Sequence, residues 1–340
     1  MTVTDFIAVG ENIHCTRIYK VGGKFVKPVG EGDAYVIEYK ADGEIRKLPV
    51  PGHLMETADW ENGKIKHCAA AIWQGCYGEG EARELGADYI RAMAVRQEAA
   101  GARYLDINVD EFSTDVDERA RLITWTVETA QQAVSIPMSI DSSNIEILRA
   151  GLSACDPNRG RPMVNSVSLE RPDAIELAKE FNAVVIASAA GENDLPTTVE
   201  DKLANLERLM PMLEAVGLKP ADLHIDPLVL PISVDGQNGR RFLDTVSAVR
   251  KTYGPEVHIV AGLSNVSFGM PKRKIINQTY AWLAVEVGAD GGIVDPLQIN
   301  GDILSGLDTE SEGFKMAKAL LLGEDDFGMA YITAAREGKI

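Results

Sequence analysis

Short apolar runs alternate with longer amphipathic stretches along almost the whole chain. Phe6–Asn12 (FIAVGEN), Tyr104–Val109 (YLDINV), Pro137–Asp141 (PMSID), Met163–Ser168 (MVNSVS) and Ala183–Ala190 (AVVIASAA) read as strands. A sixth lies inside Leu223–Leu230 (LHIDPLVL), and Val257–Ser264 and Gly292–Leu297 (GIVDPL) complete the set. Helical patterns separate them: Gly80–Gly101, a helix from near Ser113, Ser142–Gly151, Pro172–Phe181, Val199–Val216, Arg240–Tyr253 and Arg273–Val287. Helical material resumes at Thr309 and runs to the end. In the second helix Val116, Ala120, Ile123, Val127, Ala130 and Val134 fall at three- and four-residue steps, which puts them on one apolar face. Gly101, Gly217 and Gly288 stand where helices should stop. Such alternation implies a parallel sheet. About eight units in one chain of 340 residues favour a closed (β/α)8 TIM barrel, an α/β fold. The rival is an open doubly wound sheet, but no Gly-x-Gly-x-x-Gly follows any strand. GCYGEG at Gly75–Gly80 lacks a preceding strand and reads as loop.

The pattern breaks once. Residues 13–79 form a long excursion between the first strand and the first helix, read as an insertion within a single 1–340 domain. DAYVIEY and EIRKLPV flank Lys40-Ala41-Asp42-Gly43, a hairpin signal because Asp-Gly supplies positive φ readily. From Cys15 to Lys66 nine Lys or Arg face eight Asp or Glu, near neutrality in a chain of net charge −17.

That acidity argues against nucleic acid, whose phosphates would be repelled. No apolar run approaches the roughly 18 residues a membrane span needs, and MTVTDFIAVGEN lacks the basic and apolar regions of a signal peptide. Cys15, Cys68, Cys76 and Cys155 show no disulfide framework, so a reduced cytoplasmic setting is expected. His53, His67, Cys68 and Cys76 lack a regular metal spacing and read as ordinary core or surface residues.

In a barrel of this kind the site lies at the C-terminal strand ends. The tips carry Glu11, Asn12, Asp106, Asn108, Asp141, Asn165, Asp226, Asn265 and Asp295. Without histidine or cysteine this set does not suit zinc, and mixed amides and acids look less like a metal cage than a hydrogen-bonding pocket. No bound metal is expected. Asp accepts from ring N–H and amino groups, and Asn both donates and accepts, so the set can read a flat, nitrogen-rich heterocycle along its edge. Helix caps and Asx-turns compete for the same residues, with Asp141 before Ser-Ser-Asn and Asp295 before Pro as the best candidates. Asp226 precedes Pro227 and a further apolar run, where no helix begins. Glu11 has a rival role as partner to an Arg or Lys.

SIDSSN (Ser139–Asn144), VNS (Val164–Ser166), IDPLVLP (Ile225–Pro231) and GLSNVSFGMPKR (Gly262–Arg273) resemble the motifs of the pterin-binding methyltransferases. VGEN and LDIN fit the first two strands of the same family. These are the methyltetrahydrofolate:corrinoid protein methyltransferases, kin of the folate domain of cobalamin-dependent methionine synthase. The resemblance spans the first strand and about Arg83–Leu297. It implies 5-methyltetrahydrofolate as substrate at the strand C-termini, with tetrahydrofolate as its demethylated form. Asp141, Asn165 and Asp226 would hold the pterin ring. Asn265 would stand near N5, with Gly262 and Ser264 in the same motif. Arg273 would be a basic residue of the loop beyond, Asp106 and Asn108 part of the pocket wall, and Glu11 a further contact. Asn265, Asp226 and Asp141 are the catalytic candidates. The chain lacks the Asp-x-His-x-x-Gly of a cobalamin-binding segment, so the corrinoid should arrive on a partner protein. Family members are often homodimers, which sets that expectation too. The insertion departs from simpler members, and emerging after a strand it would lie at the catalytic face.

Dihydropteroate synthase shares the fold but condenses rather than transfers methyl. Here the sixth tip reads DPLVLP rather than a glycine-rich DPG-type turn, and the seventh ends in SNVS rather than Ser-Arg-Lys. A folate-binding module without catalysis is the remaining reading.

Overall fold

Eight strands close into a barrel: β1 (Ile7–His14), β2 (Ala102–Asn108), β3 (Met138–Asp141), β4 (Met163–Val167), β5 (Val184–Ser188), β6 (Leu223–Asp226), β7 (His258–Ala261) and β8 (Gly291–Val294). Round the barrel each strand neighbours the next in sequence, with β1 between β8 and β2. This computed structural model describes residues 2–30, 34–193 and 195–340; Asp33, the first residue of the expected hairpin, lies outside them. The strands are buried along nearly their whole length, which is why they read as continuous apolar runs.

The chain divides into two compact units. One comprises the chain up to residue 10, residues 100–103 and 163–340. In it the parallel registers run from Ile7 opposite Gly291 through Val260 opposite Gly291 to Val185 opposite Leu223. Its helices are α4 (Asp173–Glu180), α5 (Val199–Ala215), α6 (Asn238–Tyr253) and α7 (Arg273–Glu286), followed by Gly301–Ser305, Glu312–Leu321 and Met329–Arg336. Strand β6 stops at Asp226, short of the expected apolar run, because Pro227 has no N–H to offer the ladder.

The second unit comprises residues 11–99 and 104–162. It holds α1 (Gly80–Ala99), α2 (Val116–Gln131) and α3 (Ile145–Ala154). Asp115 caps α2 by accepting from the Glu118 N–H at 2.8 Å, and Leu122, Ile123, Thr126, Val127 and Ala130 are buried along one face. Between β1 and α1 lie two small antiparallel sheets. Ile18–Lys20 pairs with Lys64–Lys66, and Ala34–Ala41 pairs with both Val26–Val29 and Glu44–Pro49. Asp42 and Gly43 form the expected turn, with φ of 53° and 84°. Tyr39 and Arg46 bind this hairpin to α1 through Asp88, at 2.6 and 2.5 Å.

Two further features differ from the sequence reading. Gly75 is not in a loop: it belongs to a further helix, His67–Tyr77, and a Cβ there would meet the Trp125 ring at 2.2 Å. The glycine is a packing requirement rather than a turn signal. Strand β1 also runs two residues past Asn12, through Ile13 and His14, both buried.

Candidate functional site

Each unit carries a polar cluster built on strand ends. In the second unit, β1 delivers His14, β2 delivers Asp106 and Asn108, and β3 delivers Ser139 and Asp141. The Cys15 N–H donates to the Asn108 carbonyl at 3.0 Å, joining the β1 and β2 tips. His14 Nε2 lies 2.7 Å from Asp106 Oδ2 and 3.9 Å from Asp141 Oδ2. Ser139 Oγ donates to Asp106 Oδ1 at 2.6 Å, and Asn108 Nδ2 donates to Asp141 Oδ2 at 3.0 Å. Asp106 has no exposed surface, whereas 29% of the Asp141 side chain is open.

Burial is the largest influence on the Asp141 carboxyl and the Asp106 charge adds to it. Together they push its pKa well above the ordinary carboxylate range, against His14 and the Asn108 hydrogen bond. Burial alone would lower the His14 pKa. The hydrogen bond to Asp106 and the charges of Asp106, Asp141 and Glu11 outweigh it, so the imidazole titrates above a free histidine.

Helix α3 is capped by Asn144, which accepts from the Glu146 and Ile147 N–H groups. Asp141 is therefore not consumed as a cap. Glu11 is ion-paired with Arg17, which also donates to the Glu11 carbonyl at 3.1 Å; the rival role for this residue is present.

The ligand atoms of His14, Asp106 and Asp141 lie within 4.8 Å of one another, which makes them a metal-compatible group among the described residues. The 2.7 Å His14–Asp106 contact is a direct hydrogen bond, and no metal is proposed here.

The first unit carries Asn165, Asp226 and the loop after β7. Asn165 is opposite Ile186 and Val167 opposite Ala187, so a bulge at Ser166 places an extra residue at the β4 tip. Arg171 donates to Ser166 Oγ at 2.7 Å. Asp226 ends β6 and does have structural work: its Oδ1 accepts from the Leu228 N–H at 2.8 Å, an Asx-turn that accompanies φ of 61° at Leu228. The turn uses Oδ1 of the carboxylate.

Beneath the turn lies a residue the sequence reading missed. Lys202 of α5 is 2% exposed and donates through Nζ to the Leu228 carbonyl at 3.0 Å. Burial lowers its pKa to about 8, against the Asp226 charge, and burial raises Asp226 to about 6. A signal existed: Lys202 stands four residues before Leu206 and in line with Leu209 and Leu213, a cation on an apolar face.

After β7 the chain enters a 3-10 turn, Leu263–Ser267. Asn265 is exposed there, and its amide makes no hydrogen bond with the described residues. A Cβ on Gly262 would come within 3.0 Å of Asn265 Nδ2, so glycine leaves the space that the amide uses. Arg273 braces this loop, donating from Nε to Ser267 Oγ at 2.9 Å and from the guanidinium to the Ser264 carbonyl at 2.8 Å. The Ile232 N–H donates to the Val266 carbonyl at 3.0 Å, and Ser233 Oγ to the Phe268 carbonyl at 2.6 Å. Those two bonds bring the Asp226 segment and the Asn265 loop together. Asp295 serves its own turn, accepting from the Leu297 N–H at 3.0 Å.

Comparison with known proteins narrows what such tips do. Residues 80–295 match the family described as pterin binding enzyme. Over 257 residues the chain is 32% identical to the methylcorrinoid:tetrahydrofolate methyltransferase of Eubacterium limosum, spanning 74% of this chain and 89% of that protein. The methionine synthase of Mycobacterium leprae is 29% identical over 228 residues, 62% of this chain but 18% of that much longer protein. Among solved structures, the dihydropteroate synthase of Xanthomonas albilineans with 4-aminobenzoic acid gives a TM-score of 0.53 at 21% identity, covering 67% of this chain and 87% of that one. That likeness is one of fold.

Proposed function

This chain belongs to the pterin binding enzymes, and from that membership we propose that it is a methyltransferase acting between N5 of 5-methyltetrahydrofolate and the cobalt of a corrinoid carried by a partner protein. The observation that carries this is the 32% identity across 89% of a methylcorrinoid:tetrahydrofolate methyltransferase. The residue types agree with it. When ionised, Asp141 and Asp226 can each accept from amide or amino groups such as a pterin carries, while Asn165 and Asn265 offer both donor and acceptor.

A methyl group on a tertiary nitrogen is a poor electrophile, because its departure leaves an amide-like anion. A proton taken up from solvent makes the leaving group neutral, and a hydrogen bond to N5 stabilises the charge as it develops. Asn265 is assigned the hydrogen bond, since its amide makes none with the described residues and can serve as acceptor or donor. Gly262 leaves room for the amide, Arg273 braces its loop, and Lys202 bonds to the turn that holds Asp226.

No helix among the described residues is long and apolar enough to cross a membrane. A cytoplasmic homodimer belongs to the same proposal. So does a docking role for residues 13–79 as an insertion in a single barrel domain. Val29 and Ile45 stand 49% and 62% exposed on its three-stranded sheet, apolar side chains without cover among the described residues. Changing both to Ser should raise KM for the corrinoid protein several-fold while folate affinity and transfer to free cob(I)alamin stay unchanged. Unchanged KM would remove this face from docking.

Stopped-flow spectroscopy with 5-methyltetrahydrofolate and a Co(I) corrinoid tests the function. Methylcorrinoid formation supports it. Tight folate binding without transfer would mean a binding module, and turnover dependent on para-aminobenzoate would mean a condensing enzyme.

A further inference from the structure

Asp106 is fully buried, with Ser139 Oγ 2.6 Å from one oxygen and His14 Nε2 2.7 Å from the other. A carboxylate so enclosed acts on a ligand only through a neighbour, and the neighbour that reaches onward is His14. Its Nε2 is 3.9 Å from the partly open Asp141. The other charges nearby are accounted for. Glu11 is paired with Arg17, and Asp110 lies 3.6 Å from Arg119 while accepting from Ser142 and Ser143. His14 Nε2 thus lies within 4 Å of a carboxylate oxygen of both Asp106 and Asp141. Two carboxylates this close resist joint ionisation, and an imidazolium between them removes the conflict.

We propose that His14, anchored on Asp106, is a positioning residue that keeps Asp141 ionised and so able to accept from a pterin. This rests on the reading above, in which Asp141 holds the substrate ring. A protonated carboxyl loses acceptor capacity and presents a donor to a ring edge made of donors. Removing the imidazolium leaves only the Asn108 hydrogen bond to oppose the burial of Asp141 and the repulsion of Asp106. The sign is therefore fixed: without His14 the Asp141 pKa rises, and folate binding needs a higher pH. Asp106 and Ser139 hold the imidazole, which explains why an acid sits where no ligand can touch it.

The test compares wild type with His14→Gln and His14→Lys. Gln keeps a donor for Asp106 without the charge; Lys restores a charge. The Kd for 5-methyltetrahydrofolate is measured from pH 5.5 to about 10, and the Asp141 carboxyl is titrated by 13C NMR in the ligand-free protein. In His14→Gln the midpoint of the binding profile and the carboxyl titration should both move up by about 1–2 units, the usual effect of an opposite charge at such a distance. Affinity at the alkaline end should stay within about twofold of wild type, because there the carboxylate ionises unaided, and His14→Lys should bring the midpoint back. A uniform loss of affinity at every pH, or an unmoved carboxyl titration, overturns the role of His14 and leaves the folate reading standing. Wild type that binds no folate at any pH overturns that reading instead, and the carboxyl titration still decides whether His14 governs Asp141.

Discussion

Asn265→Ala should lower the rate of methyl transfer about 10²–10³-fold, the loss seen when one donor to a developing charge is removed. Folate affinity should fall only a few-fold. The split follows from timing. The ground-state N5 is a tertiary amine with little charge, whereas the departing nitrogen gains electron density that the amide can meet. Stability should hardly move, since the exposed amide makes no bond with the described residues. A companion variant separates presence from placement. Gly262→Ala keeps the amide but sets a Cβ 3.0 Å from Nδ2, so the side chain must give way. Its rate should lie between wild type and Asn265→Ala. Single-turnover kinetics with equilibrium folate binding read both effects, and an unchanged rate in Asn265→Ala removes this residue from the chemistry.

Arg250→Ala should cost about 3–5 kcal/mol of folding stability, the usual penalty for stranding one partner of a buried ion pair. Its guanidinium binds Asp290, which is 6% exposed, together with the carbonyls of Gly254, Val257 and Gly288. Asp290 in turn accepts from the Ile259 N–H at 2.7 Å, so the acid sits between β7 and β8. Apart from the Ile259 N–H, which lies near the start of β7, these groups are outside the two strands and stand at the opposite end from the tips. Urea unfolding should therefore show the full loss, while the rate constant of methyl transfer by the folded protein is retained. A drop of less than about 1 kcal/mol would mean that Asp290 finds another partner.

The barrel was legible because each strand is short, apolar and closed by a turn residue, and each helix repeats its apolar face every three or four positions. The hairpin was legible in Asp42-Gly43, the pair whose backbone favours the left-handed region. The polar network was less so. His14 went unseen because the run appeared to end at Asn12, although the next two residues are buried too. Polar side chains inside a strand mark its end in sequence unless their partners are known, and the partners of His14 come from β2 and β3. Asp106 shows the same gap from the other side: its position on a strand tip suggests a ligand contact, while its burial and its bonds to His14 and Ser139 depend on tertiary packing. Lys202 drew no reading from the sequence, because its place on the apolar face of α5 gains meaning only against the Leu228 carbonyl. Asp226 was assigned to function because no helix starts after it, yet its Asx-turn needs no helix.

Rapid mixing of the protein, 5-methyltetrahydrofolate and a Co(I) corrinoid protein, followed by the corrinoid absorbance, is the most direct measurement. The Co(I) band should decay into that of the methylated corrinoid at a rate set by enzyme concentration, with one tetrahydrofolate released per methyl group moved. Persistence of Co(I) at saturating folate, with wild-type protein that demonstrably binds the folate, would contradict methyl transfer as the work of these strand tips.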